Sequence, residues 1–215
     1  MAGIIYKVIG TRFLTEDTFV VRFNRGDLQF RAGQKLVVGL KDEIDQREYS
    51  IYSSEKENFL EILVKEVTGG NVSVRLKKAS PGQVLQVNGP FGSFTIEEFN
   101  RYNSKFIFIA TGTGISPFHS FVRSYPGLDY LLIHGVRIRD EAYEKENYKS
   151  RYVLCTSGEV SERRKGRVTD YLKDFRTENG MLFYLCGNGS MIYDASHILK
   201  DKGVPPENIF SEIYF

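Results

Sequence analysis

The strongest constraint on the fold is a change of hydrophobic pattern near residue 100. Before that point apolar and polar residues alternate over short runs, as they do around Phe19, Val21 and Phe23, and this is the period of a half-buried β-strand. After it, apolar strand-like runs alternate with helical segments in a β-α-β-α rhythm, which is typical of a mostly parallel sheet covered by helices. The sequence therefore predicts two domains of different class.

Turn-forming residues divide the first hundred positions into short strands. Clusters of glycine, proline and asparagine recur between residues 25 and 90, with the spacing expected of an antiparallel barrel. We predict an antiparallel β-barrel domain over residues 1–99, followed by a doubly wound α/β domain with a mostly parallel sheet over residues 100–215. The acidic and polar stretch at residues 97–104 marks the expected boundary.

Composition narrows the classes of function. Lys and Arg exceed Asp and Glu by only 29 to 27, a balance too weak to indicate nucleic-acid or membrane binding. No run of 18 apolar residues occurs and no secretory leader is evident, so we expect a cytoplasmic protein with no membrane segment. Two cysteines, Cys155 and Cys186, cannot form a disulfide framework or a four-thiolate metal centre. We expect no metal site, and any redox centre must be an organic cofactor.

The run Thr111-Gly112-Thr113-Gly114 follows an apolar strand and precedes a helical segment in which Ser116 is the expected N-cap and Pro117 the first helical residue. Glycines let the backbone approach an anion, and a helix N-terminus offers free N–H groups and partial positive charge. This pattern predicts a pyrophosphate-binding turn. A tight strand-to-helix connection without a ligand is the alternative, since Pro117 occupies the position of the third glycine in the usual dinucleotide fingerprint.

Two segments of the first half carry groups suited to a planar, phosphorylated cofactor. In Arg47-Glu48-Tyr49-Ser50 a guanidinium, a ring and a hydroxyl alternate, and they can bind a pyrophosphate, a heteroaromatic plane and a ring nitrogen. An edge strand of mixed polarity is the alternative. Downstream, Gly70-Asn71-Val72-Ser73 is a candidate second anion-binding turn, with a hairpin loop as the alternative.

The order of these segments resembles the ferredoxin-NADP reductase superfamily across nearly the whole chain, and its bacterial ferredoxin/flavodoxin-NADP reductases in particular. The resemblance implies an FAD cofactor, with FMN left open. Arg47 is implied on the flavin pyrophosphate, Tyr49 against the isoalloxazine and ribityl region, and Tyr214 on the open flavin face. The full implied flavin set is Arg47, Glu48, Tyr49, Ser50, Val64, Lys65, Gly70, Asn71, Val72, Ser73, Tyr214 and Phe215.

The same resemblance implies a nicotinamide-nucleotide site in the second half. Its implied residues are Thr111, Gly112, Thr113, Gly114, Arg137, Ser157, Arg167, Cys186, Gly187, Asn188 and Met191. The family's specificity segment carries Ser-Arg, whereas this chain has Ser157-Gly158, so one guanidinium for a 2′-phosphate is missing. Arg137 and Arg167 match other basic positions, and Arg163, Arg164 and Lys165 add charge nearby or form a solvated loop. We expect NADPH, with NADH as an open alternative.

The activity implied is hydride transfer between nicotinamide C4 and flavin N5, aligned by Ser50, Cys186 and Glu212. Reduced flavin would then exchange single electrons with a separate ferredoxin or flavodoxin, and we expect a monomer. An NAD(P)H:flavin reductase, the reductase component of a multicomponent oxygenase, and an electron-transfer subunit with a decayed nicotinamide site remain alternatives. No role is assigned to His119, His134 or His197, because a lone histidine on an apolar element is usually structural.

Overall fold

The computed structural model describes residues 5–41, 43–158 and 166–214. These residues form two compact units. The barrel unit holds the described residues up to Thr95 together with His119–Ser124, and the α/β unit holds Ile96–Phe118 and the described residues from Tyr125 onward. The boundary expected between residues 99 and 100 stays a prediction.

The described residues of the barrel unit form a six-stranded antiparallel sheet with one complete α-helix. Its elements are β1 (Tyr6–Phe13), β2 (Thr18–Asn24), β3 (Lys35–Leu40), β4 (Arg47–Ser50), β5 (Phe59–Lys65), α1 (Asn71–Lys77) and β6 (Val84–Phe91). The strands are hydrogen-bonded in the order β4-β3-β6-β1-β2-β5. A bridge between Ile51, which follows β4, and Ile62 of β5 joins the two edges. The antiparallel barrel predicted for the first half is therefore confirmed.

The barrel core is built from the alternating residues that predicted its strands. Phe19, Val21 and Phe23 of β2 are fully buried, and so are Leu60 and Ile62 of β5. Burying a side chain of this size stabilises the fold by roughly 1.5–3 kcal/mol. The period-2 pattern thus fixes which face of each strand points inward.

The α/β unit is a five-stranded parallel sheet with four helices. Its elements are α2 (Asn100–Asn103), β7 (Lys105–Thr111), α3 (Ser116–Ser124), β8 (Asp129–Val136), β9 (Tyr152–Thr156), α4 (Val168–Asp174), β10 (Met181–Asn188), α5 (Gly189–Asp201) and β11 (Ile209–Tyr214). The last six residues of α3, His119–Ser124, belong to the barrel unit. The strand order is β11-β10-β7-β8-β9, and all neighbours are parallel. This confirms the predicted doubly wound class.

The order of the parallel strands reverses between β7 and β10. The chain adds β8 and β9 on one side of β7 and then returns to its other side to form β10 and β11. The central strands are covered on both faces, since every side chain of Phe106–Ala110 is fully buried, as expected for a parallel sheet. Ligands of open parallel sheets bind outside the carboxyl ends of the strands at such a reversal. This edge is therefore the first place to look for a site.

No helix of the described ranges combines the length and the apolar character needed to cross a membrane.

Candidate functional site

The sheet brings the two glycine-containing segments of the α/β unit together. β7 ends at Thr111, β10 ends at Asn188, and the two strands are direct neighbours with Cys186 opposite Ala110. Each strand thus continues into helical structure at the same edge of the sheet. Residues 111–115, from the last residue of β7 through the turn that follows it, are named the nucleotide loop, and residues 186–188, the last three residues of β10, are named the thiol loop.

These two loops touch backbone to backbone. A Cβ atom built on Gly114 would lie 2.4 Å from the carbonyl oxygen of Cys186, and one on Gly187 would lie 2.3 Å from Thr111 Oγ1. Gly187 also has φ +128°, a conformation that other residues rarely adopt. The Thr111 hydroxyl oxygen accepts a hydrogen bond of 3.0 Å from the Asn188 N–H. Glycine is thus required at both positions by close approach, whatever the ligand.

The nucleotide loop begins a helix earlier than predicted. Gly112–Ile115 form a 3₁₀ turn that continues directly into α3, and no side chain caps its start. Ser116 has helical backbone angles and donates its hydroxyl to the Thr113 carbonyl at 2.7 Å. The predicted N-cap role of Ser116 is therefore wrong, because the chain is already helical before it. The uncapped start leaves backbone N–H groups suited to an anion.

Two residues implied on the nucleotide have internal partners. Asn188 is the N-cap of α5, and its Oδ1 accepts hydrogen bonds from the N–H groups of Ser190 and Met191 at 3.0 Å and 3.3 Å. The Met191 side chain lies in the hydrophobic core of the α/β unit. A contact of either residue with a nucleotide stays a prediction, and their side chains already serve the fold.

Cys186, Glu212 and Tyr214 lie together on adjacent strands. β10 and β11 are in parallel register, with Cys186 opposite Glu212 and Asn188 opposite Tyr214. Burial raises the pKa of the Cys186 thiol well above its usual value, the negative charge of Glu212 raises it further, and hydrogen bonds with Tyr214 and the Gly187 backbone oppose the rise. The thiol is therefore neutral at physiological pH, a polarisable contact rather than a nucleophile.

The specificity segment lies at the ends of β8 and β9. The Gly158 N–H donates to the Arg137 carbonyl at 2.9 Å, and a Cβ on Gly158 would lie 2.8 Å from that oxygen and 3.3 Å from Arg137 Cγ. Ser157 Oγ bonds the carbonyl oxygen of Val136 at 3.3 Å. The side chains of Arg137 and Arg167 are both exposed. Arg163, Arg164 and Lys165 lie outside the described residues.

His134, to which the sequence assigned no role, contacts the nucleotide loop. Its side chain is fully buried on β8, with Nε2 2.9 Å from the Gly112 carbonyl oxygen and Nδ1 2.7 Å from the Tyr152 hydroxyl oxygen. Burial lowers the pKa of His134 to about 4. Its partners are 22 and 18 residues away in sequence, so no local pattern indicates them. Only the strand register reveals the link.

The flavin segment is β4, an edge strand of the barrel sheet. The Arg47 guanidinium is exposed and donates to the Gln46 carbonyl at 2.7 Å, while Glu48 forms an ion pair of 2.7 Å with Lys35. Tyr49 packs against the barrel core, and burial raises the pKa of its phenol to about 12. Ser50 is buried.

The segment Gly70-Asn71-Val72-Ser73 is the start of a helix, so the hairpin-loop alternative is wrong. Gly70 is the N-cap of α1, and no side chain caps that end. Val72 is buried in the barrel core, Ser73 Oγ accepts from the Val67 N–H at 3.0 Å, and Asn71 Nδ2 donates to Asp45 Oδ2 at 2.8 Å. The side chains hold the loop in place, which leaves backbone N–H groups for an anion.

Two further residues of the implied flavin set, Val64 and Lys65, also have partners within the barrel unit. Val64 is buried in the barrel core, and Lys65 Nζ lies 3.4 Å from Asp17 Oδ2 in a surface ion pair. Phe215 lies outside the described residues. Among the described residues no group of three or more His, Cys, Asp or Glu side chains has the arrangement of a metal site.

Comparison with known proteins assigns both units. Residues 6–96 match the oxidoreductase FAD-binding domain, and residues 108–197 match the oxidoreductase NAD-binding domain. The toluate 1,2-dioxygenase electron transfer component of Pseudomonas putida is 26% identical over 229 residues, covering 98% of this chain and 67% of that protein. The flavodoxin/ferredoxin–NADP reductase of Rhodobacter capsulatus is 28% identical over 211 residues, covering 94% and 75%.

The fold is also that of solved reductases. A ferredoxin NADP⁺ reductase from Neisseria gonorrhoeae, with bound FAD and NADP, superimposes with a TM-score of 0.84 at 21% identity, covering 99% of this chain and 98% of that one. The chain spans only 60–67% of the length of the dioxygenase reductase components that it matches.

The packing of the two loops predicts a sharp contrast between two glycine substitutions in the α/β unit. Gly187→Ala should lower the free energy of unfolding by about 2 kcal/mol or more, because the new methyl group meets Thr111 in a strained backbone conformation. Gly127→Ala, where nothing lies within 4 Å, is the matched control and should change stability by less than about 1 kcal/mol. Urea denaturation followed by circular dichroism measures both, and equal values would refute the packing argument.

His134 predicts a pH dependence of stability. Its pKa is about 4 in the fold and about 6.5 in the unfolded chain, so its contribution is complete above pH 6.5 and is lost as the pH falls towards 4. Tyr152, Tyr143 and Glu141 face the ring, and the hydrogen bond with the Gly112 backbone and the charge of Glu141 oppose the lowering of the pKa without cancelling it. Between pH 7 and pH 5 the wild type should lose about 2 kcal/mol more than His134→Gln, as measured by denaturation at each pH. Parallel losses would contradict a buried neutral histidine.

Proposed function

The chain belongs to the ferredoxin/flavodoxin-NADP reductase family of oxidoreductases, and on that premise we propose a specific activity. The protein transfers hydride between NADPH and FAD and passes single electrons between FAD and a separate ferredoxin or flavodoxin. The observation that carries the proposal is the contact of the nucleotide loop with the thiol loop at the reversal point of the parallel sheet. It supports a pyrophosphate and a nicotinamide held side by side.

The barrel unit has groups that fit an FAD pyrophosphate. The uncapped start of α1 offers N–H donors, and the exposed Arg47 guanidinium can grip two phosphate oxygens. Tyr49 stays protonated up to high pH, so its ring is a neutral platform for a flat heterocycle. When bound, FAD supplies the conversion between two-electron and one-electron chemistry.

In the α/β unit the chain's task is to bind and orient the nucleotide. The N–H groups at the start of the nucleotide loop hold the pyrophosphate, and the exposed Arg137 and Arg167 side chains meet the 2′-phosphate of NADPH. Cys186, neutral and buried, packs against the nicotinamide without competing for a proton. Glu212 would orient the nicotinamide within the α/β unit, and the Ser50 hydroxyl would orient the flavin within the barrel unit.

Electron delivery to an oxygenase system is a second candidate, favoured by the match to dioxygenase electron transfer components and by Gly158. On this reading the protein uses NADH readily, since position 158 is a glycine without a guanidinium, and even a Cβ atom there would lie 2.8 Å from the Arg137 carbonyl oxygen. Free exchange of flavin as a substrate would instead mark a flavin reductase. Gel filtration tests this last alternative: FAD that stays with the protein is a bound cofactor and argues against a flavin reductase, whereas FAD that is lost argues for one.

Coenzyme preference is the first prediction of the proposal. Anaerobic stopped-flow mixing of the FAD-loaded protein should show flavin bleaching by NADPH at lower concentration than by NADH. Arg167→Ala should raise the KM for NADPH about 10-fold and leave the KM for NADH within about twofold, because only NADPH carries the 2′-phosphate that Arg167 would bind. Lys202→Ala, on the far end of α5, is the control. Faster bleaching by NADH would favour the oxygenase reading, and bleaching by neither would refute the activity.

The aligning residues generate a second prediction. Ser50→Ala and Glu212→Ala should each slow flavin reduction at saturating nucleotide by about 10-fold or more, while FAD stays bound, because the removed groups orient the reaction rather than hold the cofactor. Ser93→Ala and Glu207→Ala are controls of the same chemical kind at exposed positions. Wild-type rates in both Ser50→Ala and Glu212→Ala would remove these residues from the mechanism.

A further inference from the structure

His134 joins the nucleotide loop to strand β9 through both nitrogens of its ring. A carbonyl oxygen can only accept a hydrogen bond, so the Nε2 that lies 2.9 Å from the Gly112 oxygen must carry the proton. The other nitrogen, Nδ1, is then an acceptor for the Tyr152 hydroxyl at 2.7 Å. Burial also raises the pKa of the Tyr152 phenol, which keeps this donor protonated. The two neighbours thus select one neutral tautomer.

Strand register explains why this ring reaches the loop. His134 lies opposite Ala110 of β7 and opposite Leu154 of β9. Ala110 precedes Gly112 by two residues, and Tyr152 precedes Leu154 by two, so Tyr152 shares a face of β9 with the neighbour of His134. His134 on β8 therefore lies between Tyr152 on β9 and Gly112, the first residue after β7.

The bond to Gly112 determines where an adjacent N–H points. The peptide that links Gly112 to Thr113 is planar and trans, so its C=O and N–H groups are directed oppositely. With the C=O held by His134, the Thr113 N–H is directed away from the ring. In a 3₁₀ turn that begins at Gly112, this N–H precedes the first intrahelical bond and can be offered to an anion. Gly112 has φ +52°, and a glycine peptide rotates readily without a side chain to restrain it.

We propose that His134 is a positioning residue for nucleotide binding: its Nε2–H holds the Gly112–Thr113 peptide so that the Thr113 N–H faces the pyrophosphate, and Tyr152 maintains the required tautomer. The inference rests on the proposed function, because it concerns the same loop. Without His134 the peptide can turn its carbonyl oxygen towards the phosphates, where it repels them. A histidine that only fills the core would give no such effect.

Four variants separate positioning from packing. His134→Leu removes the donor, His134→Gln restores an N–H₂ donor near the position of Nε2, and Tyr152→Phe removes only the group that fixes the tautomer. Tyr130→Phe is the matched control, since Tyr130 is a buried tyrosine of β8 four residues before His134. The KM and the saturating rate of flavin reduction are measured anaerobically with whichever of NADPH and NADH the wild type uses better.

The expected result is a selective loss of affinity. His134→Leu should raise the KM about 10-fold or more with a saturating rate within about twofold of wild type, because a phosphate contact and not the chemistry is lost. His134→Gln should recover most of that loss, Tyr152→Phe should raise the KM about threefold, and Tyr130→Phe should leave it unchanged.

Three outcomes would overturn the inference. They are an unchanged KM in a folded His134→Leu variant, a glutamine variant as poor as the leucine variant, or, if His134→Leu does not fold, an unchanged KM in Tyr152→Phe. The failure of the proposed function looks different. In that case the wild-type flavin is reduced by neither nucleotide, and the basis for a positioning role disappears with it.

Discussion

The nucleotide end of the α/β unit depends on one contact, the approach of two backbones where β7 and β10 end. There is no space for a methyl group where Gly114 meets the Cys186 carbonyl or where Gly187 meets Thr111. Each loop therefore restricts the backbone conformation of the other. Interiors this closely packed have few alternative arrangements. The two loops meet because the chain returns to the other side of β7 to form β10. The strand order therefore determines which loop residues come into contact.

Sequence reasoning succeeded where a signal is local and periodic. The change from period 2 to a β-α rhythm predicted both fold classes, and Thr111-Gly112-Thr113-Gly114 predicted a turn between strand and helix. It failed on the details of that turn. Serine is a common N-cap residue, but Ser116 follows a 3₁₀ turn that residue propensities do not predict. It also missed the start of α1 at Asn71, since two adjacent glycines are equally typical of a hairpin.

The hydrogen-bond partners of His134 could not have been predicted from the sequence. A histidine between Ile133 and Gly135 in an apolar run reads as a buried structural residue, and it is buried. Its partners come from two other strands, and only the register of a folded sheet aligns them. Asn188 shows the opposite case, because an asparagine directly before a helix is a recognisable N-cap. The nucleotide contact that the family resemblance implies for Asn188 stays a prediction, and its side-chain oxygen caps α5.

Cys186 and His134, two titratable groups buried beside the proposed nucleotide site, are both kept neutral for a common physical reason. Desolvation raises the pKa of Cys186 and lowers that of His134, so neither adds charge to the end of the sheet. A charged imidazolium under the nucleotide loop would lie next to the positive end of α3, and a thiolate would lie next to Glu212, so each charge would meet one of its own sign. Hydride transfer itself moves no separate proton between nicotinamide and protein. A site that only orients its ligands is therefore best built from neutral hydrogen-bonding groups in a dry interior, with the exposed arginines left to attract phosphate from solvent.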